Sequence, residues 1–254
     1  MKSLIVILAA FVIEIPLFVG CASQQKKETA SLHQQMGRAF LTSSNYASAI
    51  KEFIVADEFD PNNAKIKNDL GLAYMLREKY DLAEREFKKA LALENEYTDA
   101  RNNLGWLLVQ QKNYDAAIAE LLIARRDLTY QDGAKVLLNL GIAYFHKKEF
   151  LKARDSFFEA LKDQRENCQM HSWYGRSLFE LQQFEDGAKS LDRAVGFCKR
   201  LGFDEPHYYS ALSYLKLKDI SRAEARLEEV IKLYPKGNYQ RQAQDTLEII
   251  RNGR

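Results

Sequence analysis

An aromatic or aliphatic residue followed three positions later by a small one occurs six times along the chain. The pairs are Tyr46/Ala49, Tyr80/Ala83, Tyr114/Ala117, Phe150/Ala153, Phe184/Gly187 and Ile220/Ala223, at steps of 34, 34, 36, 34 and 36 residues. A second small position keeps the same phase, as Gly37, Gly71, Gly105, Gly141, Gly175 and Ala211. Two independent positions thus report one register. The fold they dictate is an array of near-identical units, none long enough to bury an apolar face alone. Residues 64–97 display the unit most plainly, as two short helical patterns joined by a tight turn. Leu70, Tyr74, Tyr80 and Phe87 are sized to fill the space between helices, while Gly71, Ala83 and Ala90 are small enough for two backbones to approach where helices cross.

Within that unit Leu70-Gly71, Tyr74, Ala83, Phe87 and Ala90 stand where the tetratricopeptide pattern has L-G, Y, A, F and A, so the chain resembles the tetratricopeptide-repeat family. The resemblance implies an all-α, right-handed superhelical solenoid of six helix-pair repeats, at residues 30–63, 64–97, 98–133, 134–167, 168–203 and 204–237. The two longer steps place their extra residues in the loop before the next repeat. Asp60-Pro61-Asn62-Asn63 closes the first repeat, since proline stops a helix and the Asx residues bond the turn and cap the next helix. Tyr234-Pro235-Lys236-Gly237 closes the sixth alike, and the intervening repeats carry Asn95, Thr129, Arg165 and Lys199 at the proline position. Residues 238–254 read as a C-terminal capping helix, with Asn238 as its cap and Ala243, Leu247 and Ile250 on one face.

Residues 1–20 carry one lysine, an apolar stretch from Leu4 to Val19, and the run Leu17-Phe18-Val19-Gly20-Cys21. This resembles a bacterial lipoprotein signal peptide, in which Gly20 is the small residue before the cut and the Cys21 thiol takes the diacylglycerol. A spanning helix needs about 20 apolar residues, more than this stretch offers. The alternatives are an ordinary cleaved signal and an uncleaved anchor. Ala22 at the second mature position resembles the signal for export to the outer membrane, which implies a lipid-anchored protein on its periplasmic face. Residues 21–29 then form the lipidated N-terminus and a polar tether, of which Ala22 to Thr29 reach at most roughly 30 Å when extended. Lysine and arginine number 37 against 35 aspartate and glutamate, a net charge of +2, which argues against nucleic acid as a partner. Lys26-Lys27 is too short to hold a membrane alone.

On the geometry of the resembled family, the ninth and twelfth positions of each first helix line a concave face. They are Arg38/Leu41, Leu72/Met75, Trp106/Val109, Ile142/Phe145, Arg176/Phe179 and Leu212/Leu215. Leu72, Met75, Trp106, Val109, Ile142 and Phe145 form a continuous apolar stripe suited to an amphipathic helix or extended segment of another protein, with Trp106 as the anchor. The alternative is that superhelical twist or the C-terminal part of the array covers these side chains. The carboxylate clamp of chaperone-binding tetratricopeptide domains is not reproduced, since the corresponding positions include Gln34, Arg38, Asp69 and Asp99.

Cys168 opens the fifth repeat's first helix and Cys198 closes its second. An antiparallel pair brings those ends together, and in an oxidising periplasm a disulfide is expected to contribute about 3–4 kcal/mol. The alternative is two buried free thiols. No C-x-x-C occurs and the histidines are dispersed, so no metal site is expected. His33, His171 and His207 share the fourth repeat position, which implies similar packing in separate repeats, and His146 belongs to the opposite end of its helix. There is no phosphate-binding glycine loop, no G-x-S-x-G and no carboxylate pair distinguishable from helix-surface charge. No catalytic residue, cofactor or small-molecule substrate is implied.

The combination of a lipobox, a short tether and six repeats filling the remaining chain resembles the type IV pilus pilotin family, of the PilF/PilW/Tgl type. That resemblance implies an outer-membrane lipoprotein whose groove binds subunits of the pilus secretin and promotes their localisation and multimerisation. The alternative is a periplasmic tetratricopeptide lipoprotein that scaffolds peptidoglycan enzymes or an envelope assembly or export complex.

Overall fold

The computed structural model describes residues 15–198 and 202–253, with side chains from residue 23 onward. The apolar stretch up to Glu14 and the position of Lys199 lie outside the described residues, as does the side chain of Cys21. Every regular element among the described residues is α-helical. The first five are α1 (Ile15–Thr42), α2 (Tyr46–Phe59), α3 (Ala64–Leu76), α4 (Tyr80–Leu93) and α5 (Thr98–Gln110). They are followed by α6 (Tyr114–Ala124), α7 (Gly133–His146), α8 (Phe150–Asp163), α9 (Cys168–Glu180) and α10 (Phe184–Cys198). The last three are α11 (Glu205–Lys216), α12 (Ile220–Leu233) and α13 (Gln240–Asn252). The chain divides into two compact units, one ending at Leu107 and one beginning at Leu108, so the division falls inside α5.

One kind of reversal separates first from second helix in all six repeats. A non-glycine residue takes left-handed φ there: Ser44 (59°), Glu78 (57°), Lys112 (61°), Lys148 (62°), Gln182 (60°) and Lys218 (61°). The N–H of the next residue reaches back to the carbonyl five positions earlier, as Asn45 to Phe40, Lys79 to Tyr74, Asn113 to Leu108, Glu149 to Tyr144, Gln183 to Leu178 and Asp219 to Tyr214, each at 2.9 Å. This is a Schellman closure, which satisfies a carbonyl that the helix end would leave open. Three of those residues also start the second helix. The Asn45, Asn113 and Asp219 side chains accept from the N–H groups of Ser48, Ala116 and Arg222.

In the first, second, fourth and fifth pairs the first-helix glycine faces a large residue of the second helix. A Cβ on Gly71 would lie 2.7 Å from the Phe87 ring, and one on Gly141 2.5 Å from Phe157. Both rings are fully buried. The glycine therefore makes room for a ring rather than for a second backbone. In the fifth repeat, where Leu191 replaces the ring, the backbones do approach, and a Cβ on Gly175 would also meet the Gly187 carbonyl at 3.1 Å. Second helices also meet the following repeat, as when Ala49 and Phe53, the latter being the ring over Gly37, pack with Leu70 and Ala73. Burying each such ring stabilises the fold by roughly 1.5–3 kcal/mol.

Two expectations are corrected at the chain's ends. Residues Ala22 to Thr29 continue α1 instead of forming an extended tether. No glycine or proline stands between Cys21 and Met36, and the Gln, Lys, Glu and Ala found there propagate a helix, so the eight residues rise about 12 Å. Among the α1 side chains described, Ala30 is the first to be buried, against Ala56 and Ile66. At the other end, the cap of α13 is Tyr239 and not Asn238. The Tyr239 N–H donates to Oδ2 of buried Asp204 at 2.7 Å, and this bond sets the start of the helix one residue later. Ala243 and Leu247 then close the sixth repeat over Ala211, Leu227 and Val230.

Cys168 and Cys198 are joined by a disulfide across the ends of α9 and α10, with Cα atoms 5.1 Å apart. Replacing both by serine is expected to lower the unfolding free energy by about 3 kcal/mol, and an unchanged denaturation midpoint would refute that contribution. Lys148→Gly relieves a left-handed Cβ at an exposed reversal and is expected to raise stability by about 1 kcal/mol in chemical denaturation. A loss of stability would show that the Lys148 side chain makes a compensating contact.

Candidate functional site

The six residues of the expected apolar stripe lie on first helices: Leu72 and Met75 on α3, Trp106 and Val109 on α5, Ile142 and Phe145 on α7. They do not form an open stripe. Met75, Val109, Ile142 and Phe145 are buried, and only Leu72 and Trp106 stay half-buried with a face toward solvent. The cause is visible at Phe145. The Phe150 and Trp173 rings meet it at 5.3 and 5.1 Å between centroids, and the Arg176 guanidinium lies 4.7 Å from its ring centre. At Phe145 the next repeat, through Trp173 and Arg176, therefore covers the previous repeat's twelfth position.

In the second unit the exposed part of the first-helix face is aromatic and centred on Arg176. Its guanidinium carbon sits 4.4 Å from the Trp173 ring centre and 4.7 Å from that of Tyr209, in addition to Phe145. Nη1 donates to Glu205 Oε1 at 2.5 Å, and the Tyr239 hydroxyl donates to the same oxygen at 3.3 Å. The planar guanidinium stacks on ring faces and still directs one edge at a carboxylate, which an ammonium could not do. Arg176 thereby ties α7, α9 and α11 together. Around it Phe179 packs on Phe184 and Tyr209, and Tyr208 stacks on Tyr239 at 5.0 Å. Burial, with Glu205 adding to it, pushes the Tyr239 phenol up, so it remains a neutral donor. Half-buried Phe179, Tyr209, Leu212 and Leu215 offer a rigid, mostly apolar surface of the kind that receives an apolar side chain of a partner.

The first unit's face also carries a polar cluster. Gln34 Nε2 and Arg38 Nε both donate to Asp69 Oδ2 at 2.7 Å, and Asn103 donates to Asn68 at 2.9 Å. Burial raises the Asp69 pKa, and Arg38 and Gln34 work against that rise. Gln34 and Arg38 are thereby engaged by an internal carboxylate, that of Asp69.

The three histidines at the shared fourth position each bond a residue of their own repeat's second helix. His33 meets Glu52 at 2.6 Å, His171 meets Ser190 at 3.1 Å and His207 meets Glu229 at 2.9 Å. His146 instead stacks on Tyr114 and touches Trp173 edge-on. Among the described residues no group of three or more His, Cys, Asp or Glu side chains is placed to hold a metal ion. Sequence reasoning missed Trp173, Tyr208 and Tyr209, which occupy the fifth and sixth positions of their repeats. The signal that points to them is the clustering of aromatics on first helices of the fifth and sixth repeats.

His146, His171 and His207 all titrate below the ordinary imidazole value of 6.5, with burial the largest cause in each. The unfolded chain therefore takes up protons more readily than the folded one. The stability these groups contribute is present above about pH 6.5 and is lost as pH falls through their lower folded-state values. The thermal midpoint is expected to fall between about pH 7 and pH 5, and to fall less in a His171→Gln/His207→Gln variant. An equal fall in both proteins would assign the acid sensitivity to other groups.

Three tetratricopeptide-repeat family models match the chain. One matches residues 35–97 and 102–167, a second 74–128 and a third 207–237. No curated protein matches it significantly by sequence. Among solved structures, PilF of Pseudomonas aeruginosa is similar with a TM-score of 0.78 and 22% identity, over 87% of this chain and 99% of that one. PilW, described as a widely conserved type IV pilus biogenesis factor, is similar with a TM-score of 0.77 and 18% identity, over 85% of this chain and 98% of that one. A chain of the Cut9–Hcn1 hetero-tetramer of the APC/C gives a TM-score of 0.74 and 18% identity, over 92% of this chain but 46% of its own. At these identities the likeness is one of fold. The repeat register, the helix pairs and a single family model that matches half of the residues agree: the chain belongs to the tetratricopeptide-repeat family.

Proposed function

We propose that this chain is an outer-membrane lipoprotein of type IV pilus biogenesis that binds secretin subunits and promotes their assembly at the membrane. The observation that supports it best is the end-to-end correspondence with PilF, which spans 99% of that chain and so matches in repeat extent as well as in repeat type. PilW, the described pilus biogenesis factor, corresponds over 98% of its length. In this reading Cys21 begins the mature chain and carries the acyl chains. At about 0.8 kcal/mol per buried CH₂, several chains anchor it permanently. Helix α1, which runs through that cysteine, holds the first repeat close to the inner leaflet. A segment of the secretin subunit docks on first-helix faces, using Leu72 and Trp106 in the first unit or Phe179, Tyr209, Leu212 and Leu215 in the second.

The test is an immunoblot of outer membranes from a deletion strain, probed for heat-resistant secretin multimers. Multimers are expected to vanish while monomer persists, to return with the intact gene, and to return weakly with Trp106→Ala. Unchanged multimers would overturn the pilotin reading in favour of an envelope adaptor, whose loss alters cell shape or septation.

A further inference from the structure

A second concavity lies on a different side of α9 from the Arg176 cluster, between α8 and α10. It encloses about 520 Å³. Leu161, His171 and Ser190 form its buried floor, and Phe158 and Tyr174 form an aromatic wall with ring centres 5.9 Å apart. Phe158 is 53% exposed, so its side chain is reachable from solvent. The rim carries Lys162, Arg165, Lys189 and Arg193 against one lining acid, Asp186.

The internal pairing of these charges is uneven. Lys189 is held by Glu185 at 2.9 Å and by Asp186 at 3.7 Å, so the lining acid is already neutralised. Lys162 lies 5.6 Å over the Phe158 ring and meets no carboxylate among the described residues. Arg165 and Arg193 also have no carboxylate partner among the described residues. Arg165 is the residue that stands at the repeat-closing position where the first repeat has Pro61 and the sixth Pro235. The loop has thus exchanged a helix stop for a guanidinium at the mouth of a cleft.

We propose that this cleft binds an acidic segment of a protein partner that carries one large apolar side chain. Two guanidinium forks and an ammonium around one opening match two or more carboxylates. The Phe158–Tyr174 wall matches the apolar side chain, and the volume suits a few side chains. A bare phosphate would leave that wall unused. A membrane surface calls for basic groups that project outward, whereas these surround a hollow.

The site stands apart from the pilotin reading and is tested separately, on the full chain purified in detergent. The probe is a fluorescein-labelled Glu-Glu-Phe-Glu-Glu peptide, read by polarisation. Binding is expected to weaken by about tenfold or more in Arg165→Glu/Arg193→Glu and about fivefold in Phe158→Ser. The thermal midpoint of the charge-reversed variant should be unchanged, since neither guanidinium is paired in the fold. The proposal is overturned if both variants bind the peptide as the parent does, or if inorganic phosphate displaces the peptide from the parent as effectively as unlabelled peptide does. It is also overturned if phosphatidylglycerol vesicles, and not the peptide, distinguish the parent from the charge-reversed variant.

Discussion

A ring of one helix lying on a glycine of its partner sets the geometry on which the rest of this structure depends. Phe87 over Gly71 and Phe157 over Gly141 leave no room for even one additional carbon. The separation of the two helices is therefore fixed by the thickness of an aromatic ring. Second-helix residues such as Ala49 and Phe53 also meet the next repeat at Leu70 and Ala73, so the spacing inside a pair and the stacking between pairs are set by the same few side chains. Removing such a ring would cost about 3–5 kcal/mol and would loosen two interfaces at once.

With pair geometry set this way, the outward face of the first helices is free to vary, and the two units use it differently. The first unit spends its polar groups internally, on Asp69 and the Asn68–Asn103 bond. The second builds an aromatic surface that Arg176 makes rigid by filling the gap between three rings while pairing with Glu205. A rigid aromatic surface loses little side-chain entropy when a partner arrives. That is the physical ground for the proposal that a partner docks on these faces.

Much of this was legible in the residues. The 34- and 36-residue steps read from Tyr46 to Ile220 reappear unchanged in the left-handed residues from Ser44 to Lys218, because each reversal is a local event governed by a helix end and its cap. Burial across repeats was harder to read. Phe145 occupies a groove position by register, but what covers it, Trp173 and Arg176, comes from residues about 30 positions away whose side chains point back along the array. The start of α13 was misplaced for a similar reason. Asn238 is the better cap by residue type, yet the deciding bond runs from Tyr239 to Asp204, 35 residues earlier. In the region after Cys21, polar composition suggested a tether, whereas the absence of Gly and Pro was the more informative property.

The disulfide between Cys168 and Cys198 has a consequence beyond its own repeat. A linear array touches only nearest neighbours, so it melts inward from its ends, one interface at a time. A covalent link across the fifth pair halts fraying that begins at α13. Opening of the sixth repeat can therefore proceed without separating the ends of α9 and α10.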